Sequence, residues 1–94
     1  MTNQQVQIRA KDDDLKGSYS NAMQVSHSEE EFVLDFYHLA HQGNVGTLTA
    51  KIVLSPGHMK RLAAALGDNI QKYEAQYGQI KTADAPKKEM GFNG

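Results

Sequence analysis

The chain lacks cysteine and tryptophan altogether and has only two prolines in 94 residues. Without cysteine there is no disulfide framework, no thiolate nucleophile and no Cys-ligated zinc. No apolar run approaches the ~20 residues that a membrane-spanning helix needs. The opening Met1-Thr2-Asn3-Gln4-Gln5 has no basic patch leading into an apolar stretch, so no secretory signal is expected. A cytoplasmic address is the corresponding expectation. Nor is there a Gly-x-Ser-x-Gly elbow or a dinucleotide fingerprint, and Gly43-Asn44-Val45-Gly46 lacks the Lys-Ser/Thr of a phosphate loop. Net charge is also nearly absent, at -1, which argues against a dedicated nucleic-acid binder.

What is there fits one small soluble domain, 39% hydrophobic with a mean hydropathy of -0.59, near the lower size limit for a single core. The charge is unevenly placed. Residues 19–40 hold Glu29, Glu30, Glu31 and Asp35 and no base, a local charge of -4, whereas residues 41–94 carry +3. Two solvated surfaces of opposite sign explain this, and complementarity between subunits is the sharper reading.

Along the chain, Val6 and Ile8 alternate with polar neighbours as a short edge strand within a partly ordered segment 1–14, and Asp12-Asp13-Asp14 breaks it. Residues 15–80 form the single domain. Period-two patterning from Tyr19 to Ser26 and from Glu31 to Leu39, joined by a short polar turn, predicts an antiparallel hairpin. Thr47 to Leu54 is a further strand, with Leu48, Ala50, Ile52 and Leu54 on one face. Ser55-Pro56 is a helix start, an N-cap hydroxyl followed by a proline at the first helical position. Met59, Leu62, Ala63, Leu66, Ile70, Tyr73 and Tyr77 then recur as one helical stripe, with Gly78 standing at C′. The spacing predicts a helix from Pro56 to Tyr77. Residues 81–94 read as a flexible tail.

The expected fold is therefore α+β: an antiparallel three- to four-stranded sheet followed by one long C-terminal helix packed on one face. Strand 31–39 is apolar on both faces. The helix would cover Phe32, Leu34 and Phe36, leaving Val33, Tyr37 and Leu39 to meet a second subunit in a homodimer. A core this thin, with no disulfide to support it, points the same way.

Two segments carry a family resemblance. Tyr19-Ser-Asn-Ala-Met-Gln-Val-Ser-His-Ser-Glu-Glu-Glu-Phe-Val-Leu-Asp-Phe36 resembles the first half of a small prokaryotic family of unknown function, DUF3467. Val53-Leu-Ser-Pro-Gly-His-Met-Lys-Arg-Leu62, with Asn69-Ile70, Tyr73-Glu74 and Tyr77-Gly78-Gln79-Ile80, resembles its second half. The resemblance implies a stand-alone prokaryotic protein and brings no activity with it. At the level of architecture alone, strands followed by one helix are also similar to the export chaperone SecB.

The chemistry-bearing residues have plain readings. His27, His38, His41 and His58 read as surface histidines, and only His38 and His41 meeting across a dimer axis would offer a route to a metal. The three consecutive aspartates lack calcium-loop spacing. Asp35 on an otherwise apolar face needs a partner, with Lys51 on the adjacent strand a candidate. No catalytic residue, metal or cofactor is expected. The function expected is a non-enzymatic binding or adaptor module for another protein. The alternatives are a nucleic-acid accessory protein using Lys60, Arg61 and Lys72 on the helix rim, and a SecB-like chaperone by analogy of fold alone.

Overall fold

A computed structural model describes residues 5–41 and 45–82. The elements are α1 (Asp12–Lys16), β1 (Ala22–His27), β2 (Phe32–Leu39), β3 (Gly46–Leu54) and α2 (Pro56–Tyr77). The fold is α+β, a three-stranded antiparallel sheet in the order β1-β2-β3 followed by one long helix. The chain divides into two compact units at Met59/Lys60. Gly43 and Asn44 of the glycine-bracketed loop, and tail residues 83–94, lie outside the described residues.

In the first unit β2 is the middle strand. Its residues meet β1 through pairs such as Leu34 with Val25, and β3 through pairs such as Leu34 with Ile52. The β1–β2 turn closes through the Ser28 amide donating to Glu31 O at 2.9 Å. The Glu30 amide donates to Ser28 Oγ at 3.3 Å, the local bond that makes serine a turn residue.

The register places Met23, Val25, Phe32, Leu34, Phe36, Ala50 and Ile52 on one face, the Leu34 face. Gln24, Val33, Asp35, Tyr37, Leu39, Lys51 and Val53 lie on the other. One element of the expected pattern changes here. Phe36 pairs with Ala50 but Tyr37 pairs with Leu48, so Thr49 is an extra residue, a β-bulge. The bulge moves Leu48 off the face of Ala50, Ile52 and Leu54 and sets it beside Tyr37. Thr49 Oγ1 donates to Phe36 O at 3.0 Å, holding the irregularity in place.

The edge strand expected at Val6 and Ile8 does not form. These residues have no regular secondary structure and are 78% and 83% exposed, and the sheet has three strands among the described residues. Two apolar positions give too little burial to hold a strand without a neighbour. The aspartate run that follows is α1 rather than a simple break. Its acidic first turn suits the positive helix end, the Lys11 amide donates to Asp14 Oδ2 at 3.0 Å, and Gly17 (φ 75°) ends it.

Before β1, Asn21 acts as a side-chain strand. Its Nδ2 donates to Leu39 O at 3.2 Å and its Oδ1 accepts from the Leu39 amide at 2.7 Å, copying a ladder pair at the end of β2. Asn21→Ala removes both bonds, and thermal denaturation should show a loss of about 1–2 kcal/mol. An unchanged melting curve would mean that water replaces the clamp without cost.

The second unit consists mainly of α2, whose ends follow the expected signals. Ser55 Oγ accepts from the His58 amide at 3.2 Å, and Pro56 opens the helix. Gly78 adopts φ 96° with its amide donating to Glu74 O at 2.9 Å, the left-handed C′ stop. Glu74 Oε2 also accepts from the Ile80 amide at 2.9 Å. Gly67 has nothing within 4 Å of the position a Cβ would take. No residue of α2 is buried. Met59 and Leu62 are half-buried, but Leu66, Ile70, Tyr73 and Tyr77 are exposed.

Candidate functional site

The polar chemistry of the sheet gathers on the Tyr37 face. Asp35 is 7% exposed and stands between Gln24 on β1 and Lys51 on β3 in register. Lys51 Nζ lies 2.8 Å from Asp35 Oδ1, the cross-strand partner that the sequence required. The lysine side chain is half-exposed while the aspartate is buried. Next along β2, Tyr37 is 6% exposed and its hydroxyl donates to Gln24 Oε1 at 3.4 Å.

Burial, and secondarily the charge of Asp35, raises the Tyr37 phenol above its ordinary value of 10.0, with Lys51 pulling it back. The fold therefore favours the neutral phenol. The stabilisation is fully present below pH 10 and is lost as pH rises through the folded value, because the unfolded chain ionises first. Denaturant titrations from pH 8 to 12 should show a falling stability whose slope is smaller in Tyr37→Phe. Equal slopes in the two proteins would mean that Tyr37 is not the group responsible.

Chemically, the cluster is a held ion pair beside a hydrogen-bonded phenol. The other face carries an open cleft of about 590 Å³ lined by Ser18, Tyr19, Ser20, Phe36, Thr49 and Ala50. Two of its hydroxyls are committed to the backbone. Ser20 Oγ bonds Ala22 O and Tyr37 O, both at 2.9 Å, and Thr49 Oγ1 bonds Phe36 O.

The histidines are spread out. His27 packs its ring against Phe32 at 5.4 Å in the β1–β2 hairpin, His38 takes an edge-on contact from Tyr19 at 5.5 Å, and His58 lies in the first turn of α2. No group of three or more His, Cys, Asp or Glu able to hold a metal occurs among the described residues.

Val33, Tyr37 and Leu39 do share one sheet face. Tyr37 is 6% exposed in the single chain and pairs in register with Ala22 on β1 and Leu48 on β3. Tyr37→Asp puts a second carboxylate one face-position from Asp35 and should leave the chain unfolded by circular dichroism. A folded dimer after this change would refute a structural role for Tyr37. Lys60, Arg61 and Lys72 are exposed on α2, with Arg61 and Lys72 a multiple of helical turns apart on the side away from the apolar stripe.

Ser20, Asn21 and Thr49 carry more of the structure than patterning revealed. The visible signal was a Ser-Asn pair directly ahead of a strand, the residue types that bond locally to backbone.

A linear three-stranded sheet and one long amphipathic helix, with the polar side chains turned to holding the sheet, define a small α+β module. A family model described as a protein of unknown function (DUF3467) matches residues 1–82, and the chain belongs to that family. No curated protein and no solved structure matches it. Among the described residues no helix is long and apolar enough to cross a membrane.

Proposed function

We propose that this protein is a non-enzymatic adaptor module that works as a homodimer in the prokaryotic cytoplasm and binds another protein. The observation behind the reading is the poverty of the single-chain core. Only Leu34 and Tyr37 are buried hydrophobic residues among those described, while Met23, Val25, Ile52, Val53 and the second half of the α2 stripe are 44–66% exposed. A domain of this length without a disulfide needs more burial than that, and a second copy supplies it. The outer edges of β1 and β3 have no strand beside them among the described residues, which gives an extended segment of a partner protein a backbone to pair with.

Native mass spectrometry of protein purified without chelator tests the reading. A dimer with no added mass is expected. A monomer at micromolar concentration overturns the assembly, and a retained metal or small molecule overturns the non-enzymatic assignment.

A second reading rests on the basic residues of α2. Lys60, Arg61 and Lys72 are all exposed and so are available to phosphates. It requires a salt-sensitive mobility shift with DNA or RNA that the Lys60→Glu, Arg61→Glu, Lys72→Glu variant loses. Absence of any wild-type shift at low salt removes it.

A further inference from the structure

From Leu66 onward the apolar residues of α2 are Leu66, Ile70, Tyr73 and Tyr77, spaced four, three and four apart and 49–66% exposed. Met59 and Ala63 extend the same alternation backwards, so the exposed stripe continues an a/d heptad seam that runs the length of the helix. Beyond Leu66 the flanking positions are Gly67, Asn69, Glu74 and Gln76. Over this half of the helix the large apolar residues keep to the a and d positions, the narrow seam that suits another helix.

We propose that the seam is filled by α2 of a second copy, packed antiparallel about a two-fold axis at the level of Asp68. This rests on the homodimer reading above and specifies its interface. Side-chain size and charge both select the arrangement. With a positions set against d positions, Leu66 faces the partner's Ile70, and the small Ala63 faces the partner's Tyr73, so each large ring meets a methyl. In the same register Lys60 flanks the partner's Glu74, and the two-fold axis makes that opposite-charge pair twice. A parallel, in-register pairing does neither. It sets Ala63 against Ala63 and Tyr73 against Tyr73, and brings no opposite charges of the flanking positions together.

The area is adequate. Four large side chains exposed to this degree amount to roughly 400–500 Å² per copy, or roughly 800–1,000 Å² for the pair before flanking positions are counted, close to the ~1,000 Å² that a specific interface clears. The adjoining Tyr73 and Tyr77 rings lie 4.9 Å apart on this seam.

The cysteine-free chain makes a direct test possible. Lys60→Cys and Glu74→Cys are placed in separate, differently tagged chains, co-expressed and treated with a short bis-maleimide. The expected result is a covalent heterodimer as the main product, with neither variant linking to itself. Self-linking of each variant would show a parallel pair and overturn the proposal. A dimer by native mass spectrometry that gives no link would overturn it too, leaving the homodimer reading intact. A monomer overturns both. Charge reversal gives a second readout: Lys60→Glu should raise the dimer dissociation constant about tenfold, and adding Glu74→Lys should restore it. Failure of that rescue in a folded protein counts against the register.

Discussion

Leu34→Ala should destabilise the protein by about 2–5 kcal/mol, the cost of a large-to-small change at a well-packed site. Leu34 is 4% exposed, in the middle strand, with Val25 and Ile52 on either side of it in register. No other aliphatic side chain among the described residues is as well covered, so no neighbouring core can absorb the cavity. For a chain of this length each kcal/mol is worth roughly 4–8 °C in the melting temperature. The expected outcome is a protein unfolded, or nearly so, at 37 °C. Val53→Ala on the same sheet is the control. Val53 is 54% exposed, and its loss should move the melting curve little. Comparable effects at the two positions would mean that Leu34 does not hold the core.

The other large effect is expected in α2. Leu66→Glu with Ile70→Glu should abolish the dimer at micromolar concentration while keeping the helix, since glutamate is a good helix former. The two-fold axis repeats the change, so four apolar side chains lose their burial and four carboxylates enter the seam. A loss of about 4 kcal/mol or more, a thousandfold or greater rise in dissociation constant, follows. Analytical ultracentrifugation reads the association and circular dichroism the helix. A dimer that persists at wild-type affinity would place the contact elsewhere on the protein.

The two variants separate the demands on this short chain. Leu34 carries burial within the sheet, and the stripe of α2 carries the contact proposed between copies. Tyr37 belongs with the first. Its apolar character and place in β2 are visible in the sequence, but its burial by Leu48 follows from the Thr49 bulge, which slides Leu48 onto the Tyr37 face. Reading β3 as an unbroken alternation assigns Leu48 to the wrong side of the sheet.

The polar cluster divides in a similar way. Asp35 needs a cation, and its period-two position within a central strand limits the choice to a neighbouring strand, so Lys51 was within reach of sequence reasoning. Gln24 as the acceptor for the Tyr37 hydroxyl was not, because that bond joins residues thirteen positions apart through the hairpin register. The Asn21 clamp on Leu39 spans eighteen positions and was equally hidden.

By itself the sequence determined the bounds of α2, the β1–β2 hairpin, the third strand and the α+β class. Each depends on local interactions: a hydroxyl capping an amide three residues on, a glycine free to turn left-handed, side chains alternating across a pleat. Only the tertiary structure decided the bulge at Thr49, the lack of a strand at Val6 and Ile8, and the burial of Asp35 and Tyr37. Those depend on which backbones lie side by side and on what covers them. Pairing and coverage join residues far apart in the chain, and local periodicity carries no record of them.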